Sequence, residues 1–217
     1  WISWWPGAVW TGMRMIKRYE PTAIMSTFPI ATAHRIGLSL QKRSGLPWVA
    51  DFRDSMTEEG YPRDPLTWKV QRKLEQEVVR HCASAVFTTE PTRQMYAERY
   101  PEYEDSHWAV IENGFDEENF QNAETELEPL PLGLPGQITL VHSGVLYPKE
   151  RDPRPFFAAL GTLKRSGQIS SGALQIILRA TGSDDFYRNM INELGIEDIV
   201  QLAPMVTYRE ALQEMLR

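Results

Sequence analysis

Two carboxylates and a guanidinium lie close together in the segment Asp51-Phe52-Arg53-Asp54. An aspartate there could act as a base or accept a hydrogen bond from a hydroxyl, and the arginine could bind a phosphate or a carboxylate. The segment ends the apolar run 47–52, which is typical of a buried strand. Because ligands of parallel α/β sheets bind at the carboxyl ends of the strands, Asp51, Arg53 and Asp54 are candidate catalytic residues. The alternative is a structural Asp–Arg pair that holds the loop.

Other polar residues also follow predicted strands of the first half of the chain. His34 lies early in a predicted helix that follows the apolar run 22–27. It could contact a ligand over the sheet, or it could bond to a neighbouring loop. Asn113, Gly114 and Asp116 follow the fourth predicted strand. By itself the Asn-Gly pair predicts only a tight turn.

Two glycine loops follow predicted strands in the second half of the chain. Gly144 follows the apolar run 138–142, and Gly182 follows the next strand. A short loop before a helix N-terminus can bind an anion because its backbone N–H groups are unpaired. Lys149 and Arg151 lie in the first of these loops, where cations suit a diphosphate. The alternative is an exposed basic loop, because lysine and arginine are usually exposed.

The composition of the 217-residue chain excludes several kinds of partner and site. With 23 basic and 29 acidic residues the formal net charge is −6, which argues against a nucleic-acid partner. The single cysteine, Cys82, excludes an intramolecular disulfide and any multi-cysteine metal site. The four histidines lack the spacing of metal ligands, and no dinucleotide or P-loop motif occurs. We therefore expect neither a metal nor a cofactor.

The chain contains no apolar run near the ~20 residues of a membrane span, and its cysteine content fits a cytoplasmic location. A tryptophan cluster opens the chain, at positions 1, 4, 5 and 10. Such residues usually lie in a core, and peripheral contact with a membrane surface is the alternative. The chain begins without Met and stops within a predicted helix. We therefore expect it to be a fragment of a longer protein.

Predicted strands alternate with predicted helices along most of the sequence, which indicates an α/β fold with mainly parallel sheets. The stretch 116–136 breaks this alternation because it is acidic and then rich in Pro and Gly, as linkers are. We therefore predict an N-terminal domain over 1–120, a linker over 121–136 and a second domain over 137–217.

Four segments in this order resemble the family 4 (group 1) retaining glycosyltransferases, which have two facing Rossmann-like domains of the GT-B type. The segments are STFPIATAHRIGL, GLPWVADFRD, VIENGFDEENF and VHSGVLYPKERDP. The stretch 178–206 also resembles the family's succession of strand, glycine loop, helix and strand. The resemblance implies an α/β fold of two Rossmann-like parallel-sheet domains, both incomplete at the chain ends.

The resemblance also implies roles for individual residues. In the family the second domain binds most of a nucleotide-sugar donor, so Gly144 and Gly182 are expected at the donor. Lys149 and Arg151 are expected to contact its diphosphate. The first domain supplies the acceptor site, so His34, Asn113, Gly114 and Asp116 are expected on the acceptor side or between the domains.

The sequence departs from the family pattern at three places, one of which is Ala203-Pro204 where the family has a glycine. Val145 stands where the family often has an arginine after the glycine, so Lys149 and Arg151 are the candidates to replace it. Arg53 stands where the family often has a histidine, which leaves Asp51, Arg53 and Asp54 as the catalytic candidates. The family's Gly-rich first loop and its acidic Glu-x7-Glu element are expected outside residues 1–217, so we expect the chain alone to be inactive.

The function that this resemblance implies is transfer of a sugar, with retention, from a nucleoside-diphosphate sugar to an acceptor hydroxyl. The acceptor would be a sugar or a lipid-linked sugar in the synthesis of a polysaccharide or glycolipid. Two alternatives stay open: a non-catalytic binding or scaffold protein with a degenerate donor site, and a sugar-nucleotide epimerase, which can share the architecture.

Overall fold

The computed structural model describes residues 2–126, 132–148 and 152–217. The chain divides into two compact units, Trp1–Gly114 and Phe115–Arg217. Each unit is an α/β layer structure with one parallel sheet.

The first unit alternates helices and strands. Its main elements are α1 (Trp5–Tyr19), β1 (Ile24–Thr27), α2 (Ala31–Ser44), β2 (Trp48–Phe52), α3 (Pro65–His81), β3 (Ser84–Phe87), α4 (Glu90–Arg99) and β4 (Trp108–Val110). The four strands pair in the order β1-β2-β3-β4, and all are parallel. Their carboxyl ends therefore lie along one edge of the sheet, with Thr27 in register with Asp51 and Phe52 with Phe87.

Aromatic side chains fill the core beneath this sheet. Trp48, Phe52, Phe87 and Tyr96 are fully buried, and Trp108 is nearly so. The rings stack in a continuous series, with centroids 5.5 Å apart for Phe52 and Phe87 and 4.8 Å apart for Phe87 and Tyr96. Contacts at such distances add to the free energy gained by burying the rings.

In the sequence, Asp64 before Pro65 predicts the N-cap of a helix, and apolar residues at 66, 70, 74 and 78 predict that this helix buries one face. The start of α3 confirms the first prediction and contradicts the second. Asp64 caps the helix as expected, because its carboxylate accepts a hydrogen bond of 2.7 Å from the backbone N–H of Thr67. The apolar spacing predicts one buried face, but Leu66 is 75% exposed and Val70 63% exposed. Only the second half of the helix packs on the core, where Val78 is fully buried.

A buried carboxylate lies between α3, α4 and the segment after β2. The Glu75 side chain is fully buried and accepts hydrogen bonds from Thr57 Oγ1 (2.8 Å), Tyr96 Oη (3.0 Å) and Tyr100 Oη (2.7 Å). Arg99 Nη1 forms an ion pair with it at 2.9 Å, and Arg72 Nη1 forms a second one. Burial and the adjacent negative charge raise the pKa of both tyrosines, so they remain hydroxyl donors.

This cluster fixes the backbone that follows β2. Tyr96 Oη accepts a hydrogen bond of 3.0 Å from the backbone N–H of Met56. Arg99 Nη1 also donates to the carbonyl of Thr57 at 2.9 Å. The chain that leaves the sheet edge at Arg53 is therefore held a few residues later by the Glu75 cluster.

The second unit repeats the alternation on a smaller sheet. Its elements are α5 (Glu117–Thr125), β5 (Ile138–Ser143), α6 (Arg154–Arg165), β6 (Leu174–Arg179), α7 (Asp184–Leu194), β7 (Val200–Ala203) and α8 (Tyr208–Met215). The strands pair in parallel in the order β5-β6-β7. Phe157, Tyr187 and Ile196 are fully buried in a core against this sheet.

The α/β fold class with two parallel sheets is therefore confirmed. The division into units falls at Gly114, and residues 117–125 of the expected boundary region form α5. The remaining predicted linker includes residues 127–131, which lie outside the described residues.

Replacing Glu75 should destabilise the first unit strongly. In Glu75→Gln the amide leaves two partly buried arginines without a carboxylate, so we expect a loss of about 3–5 kcal/mol in the free energy of unfolding. All seven tryptophans lie within the first 108 residues, so tryptophan fluorescence during urea unfolding reports on this unit alone.

The matched control is Glu77→Gln, two residues further along the same helix. Glu77 is partly exposed and pairs with Lys42 and Arg80, so its loss should cost only about 0–1 kcal/mol. Equal effects of the two substitutions would contradict the structural role assigned to Glu75.

Candidate functional site

A shallow groove of about 370 Å³ crosses the uncovered face of the first sheet. Three of the residues predicted from the sequence, Asp51, Arg53 and Asn113, line it together. Arg53 Nη2 lies 3.5 Å from Asn113 Oδ1, across 60 positions of sequence. The expectation that strand ends bring these polar groups to one edge therefore holds for these three residues.

Two threonines that we did not single out from the sequence position this groove. Thr27 Oγ1 donates a hydrogen bond of 2.8 Å to Asp51 Oδ2. Thr88 Oγ1 donates one of 3.0 Å to the backbone carbonyl of Arg53. Both follow from the parallel pairing of β1 with β2 and of β2 with β3. The Asp51 carboxylate keeps its other oxygen for a hydroxyl donor, and the exposed Arg53 guanidinium is suited to an anion.

The structure places His34 in the core instead of on the acceptor side of the sheet. Its side chain is fully buried among Phe28, Trp48 and Phe52, with the Phe52 ring centroid 4.8 Å away. His34 Nδ1 bonds to Ser26 Oγ at 2.8 Å, and Trp48 Nε1 donates to the same oxygen at 2.9 Å. Burial lowers the pKa of His34 to about 4, so the ring is neutral near pH 7.

Three other predicted residues do not line the groove. Asp54 is exposed at the surface. Asp116 is the N-cap of α5, where Oδ1 accepts a hydrogen bond of 3.1 Å from the backbone N–H of Glu118. Gly114 lies in an irregular segment and has no positive φ, so the predicted Asn-Gly turn is wrong.

The second unit has a larger groove, of about 730 Å³, at the carboxyl ends of its strands. Gly144 and Gly182 line this groove, together with Met205, Val206 and Tyr208 from the segment after β7. Ligand pockets are commonly about 300–1,000 Å³, so a nucleotide fits this volume. The walls are mostly apolar, and Met205 and Tyr208 are 80% and 62% exposed at its rim.

Both predicted glycines are needed for backbone geometry. Gly144 has a φ of +140° and Gly182 one of +78°, values that side-chain-bearing residues rarely adopt. A Cβ on Gly182 would also lie 3.3 Å from Val145 Cγ1. The two loops are tied together by hydrogen bonds of 3.0 Å, from Gly144 N–H to the Arg179 carbonyl and from Leu146 N–H to the Thr181 carbonyl.

Arg179 is a groove residue that we did not single out from the sequence, although its place at the end of a predicted strand was a usable signal. Its guanidinium forms a two-point ion pair with Glu214, in which Nε lies 2.6 Å from Oε2. Its Nη1 donates to the Pro204 carbonyl at 3.0 Å, which fixes the segment that carries Met205. Met205 and Tyr208 have no sequence signal except that they follow β7.

The electrostatics of this groove limit where a diphosphate can lie. Arg179 is the single cation among the described residues that line it, and Glu214 neutralises that cation. Asp184 adds a negative charge at the N-terminus of α7. A diphosphate is therefore favoured at the Gly144 side of the groove, where the loop towards α6 begins. The sequence-predicted cations of that loop, Lys149 and Arg151, lie outside the described residues.

Among the described residues, no group of three or more His, Cys, Asp or Glu side chains could hold a metal ion. No helix within the described residues is long and apolar enough to cross a membrane.

Comparison with solved structures finds similar folds at low sequence identity. HepE from Anabaena in complex with UDP is 16% identical, with a TM-score of 0.62 over 95% of this chain and 53% of that chain. Sucrose-phosphate synthase from Thermosynechococcus elongatus is 13% identical, with a TM-score of 0.65 over 97% and 53% of the two chains. A UDP-forming trehalose-phosphate synthase from Burkholderia xenovorans, in complex with glucose-6-phosphate, is 12% identical. Its TM-score is 0.64 over 99% of this chain and 55% of that chain.

A putative UDP-N-acetylglucosamine 2-epimerase from Listeria monocytogenes has the same general architecture, with 10% identity and a TM-score of 0.53 over 97% and 54% of the two chains. The chain spans about half the length of these structures. No protein-family model matches it, and neither does any curated protein. The likeness shows the fold, which is of the GT-B type.

The burial of His34 predicts how the first unit responds to acid. The unfolded chain binds a proton at His34 below about pH 6.5, whereas the folded unit does so only near pH 4. The contribution of His34 to the free energy of unfolding is therefore complete above pH 6.5. It falls by about 1.4 kcal/mol per pH unit as the pH decreases from 6.5 towards 4.

Urea unfolding followed by tryptophan fluorescence at several pH values tests this expectation. His34→Gln should have a shallower pH dependence than the unmodified chain. Parallel curves for the unmodified chain and His34→Gln would contradict the expectation.

Proposed function

We propose that the whole protein is a retaining glycosyltransferase that moves a sugar from a nucleoside-diphosphate sugar to an acceptor hydroxyl. The observation that carries the proposal is the apolar groove of the second unit, with Gly144 and Gly182 at the ends of two adjacent parallel strands. The GT-B fold supports it, because the similar structures include two named sugar-phosphate synthases.

The groove is suited to a nucleoside on its apolar side and to phosphates on its glycine side. Tyr208 and Met205 offer apolar surface to a base and ribose at the rim. Gly144, which has no side chain, would let the backbone approach the diphosphate closely, and Lys149 and Arg151 would bind it. These groups would also stabilise the negative charge of the departing diphosphate. Stabilising the charge that develops in the transition state is usually the largest contribution to the rate enhancement.

The groove of the first unit is suited to the acceptor. Asp51 can accept a hydrogen bond from an acceptor hydroxyl or remove its proton, and Arg53 and Asn113 can orient the sugar. We propose that neither a metal nor a cofactor takes part. We assign the acceptor to polysaccharide or glycolipid synthesis.

An epimerase is the second candidate, because a putative UDP-N-acetylglucosamine 2-epimerase shares the architecture. Incubating the whole protein with nucleotide sugars separates the two functions. A transferase makes a new glycoside only when the acceptor is present, whereas an epimerase converts the donor alone. A product with inverted anomeric configuration would overturn the retaining mechanism.

The donor groove can be tested by calorimetric titration of this chain with UDP and UMP. We expect Lys149→Ala combined with Arg151→Ala to weaken UDP binding at least about tenfold, because two charge-assisted contacts are lost. The affinity for UMP should change less, since it lacks the second phosphate. Gly144→Ala should weaken both ligands because its φ of +140° is strained for alanine.

The matched control removes two exposed arginines from the same unit, as Arg165→Ala with Arg188→Ala, and should leave both affinities unchanged. If neither UDP nor GDP, ADP or dTDP binds the unmodified chain, the donor groove is refuted. Unchanged UDP binding in the Lys149 and Arg151 variant would favour a degenerate, non-catalytic site.

A further inference from the structure

The charges of the chain are distributed unevenly along the sequence. Six of the 23 basic residues and only one of the 29 acidic residues, Glu20, lie in the first 50 positions. A chain with a net charge of −6 therefore carries a locally basic N-terminal portion. Such asymmetry is typical of a protein that binds an anionic surface with one region.

Helix α1 presents much of this charge outwards. Its inner face packs on α2 through Val9, which is buried, and through Gly12, where a Cβ would lie 2.9 Å from Leu40. Trp10, Arg14 and Lys17 follow at intervals of four and three residues and lie on the opposite, exposed face. The helix contains no acidic residue.

The helix also exposes large apolar side chains around its solvent side. Trp10 is 63% exposed, Met15 53% and Tyr19 63%. Arg14 lies over the Trp10 ring at 4.6 Å from its centroid, and Arg18 lies 5.2 Å from that of Tyr19. Tryptophan, tyrosine and basic side chains in one surface are the composition that the headgroup region of a membrane favours.

A second surface with basic and apolar side chains lies between α2 and α3, next to Trp5 of α1. A groove of about 680 Å³ lies there, with Trp5, Val70 and Leu74 as apolar walls. Four cations line it (Arg35, Lys42, Arg43 and Lys73), with Glu77 as the single carboxylate, which pairs with Lys42 at 2.9 Å. Val70 is exposed in this groove, and Leu66, one turn earlier in α3, is also exposed.

We propose that the outward face of α1, with the adjoining α2–α3 groove, docks the protein on an anionic membrane surface. Charge complementarity selects the occupant: the cations match lipid phosphates, and the exposed aliphatic side chains Met15, Leu66 and Val70 match acyl chains. A nucleic acid would use the cations and rings but gains nothing from these aliphatic groups. The proposal does not depend on nucleotide binding by the second unit.

Sedimentation with sucrose-loaded vesicles tests the proposal. The chain should bind vesicles of phosphatidylcholine and phosphatidylglycerol in equal parts and should not bind phosphatidylcholine alone. High salt, about 1 M, should release it because the Debye length falls to about 3 Å. Arg14→Glu with Arg18→Glu, and separately Trp10→Ser, should each weaken binding at least about tenfold.

Arg165→Glu with Arg188→Glu makes the same change in net charge on exposed positions of the second unit and should bind as the unmodified chain does. The unfolding midpoints from tryptophan fluorescence establish that the α1 variants remain folded. Absence of binding to the anionic vesicles overturns the proposal, as does equal loss in the control. Tighter binding of a single-stranded oligonucleotide than of the vesicles, lost in the same α1 variants, also overturns it.

Discussion

The buried carboxylate of Glu75 is the constraint on which the first unit depends most. A charge in the core is tolerated only when it is paired and fully hydrogen-bonded, and here five side chains supply the donors. Because two of those donors, Tyr96 and Arg99, also bond to the backbone at Met56 and Thr57, the cluster anchors the chain just after Arg53. The chain next to the groove of the first unit is therefore fixed by polar contacts as well as by packing.

In the second unit, backbone hydrogen bonds and one ion pair hold the loops that follow the strands. Backbone hydrogen bonds tie the loop at Gly144 to the carbonyls of Arg179 and Thr181, and the ion pair of Arg179 with Glu214 holds the segment after β7. Gly144 has no side chain, and no heavy atom lies within 4 Å of the position that a Cβ would take, so space remains for a ligand. These hydrogen bonds and the ion pair fix the loops and leave the groove between them open.

Features that depend on local sequence pattern could be predicted, namely the strands, the helices and one helix cap. Features that depend on contacts between distant residues could not. Strands and helices follow from apolar periodicity, and the cap at Asp64 follows from its position before Pro65. Asp51, Arg53 and Asn113 each lie at or after the end of a strand, and they line one groove together. The burial of Glu75 and His34 could not be foreseen, because their partners lie on other elements of the chain. The sequence indicated a linker-like stretch over 116–136, but residues 117–125 form α5 and Asp116 is the N-cap of that helix.

The charges around the groove of the second unit determine whether it suits the proposed transferase or only a binding protein. A transferase must bind the departing diphosphate more tightly than the intact donor, and this needs positive charge that is free to respond. Arg179 cannot supply it, since Glu214 already neutralises that guanidinium and Asp184 opposes an anion. Under the proposed function this positive charge comes from Lys149 and Arg151, so these two residues distinguish a transferase from a binding protein. A groove that binds the nucleoside without them would recognise a sugar nucleotide but would not cleave it.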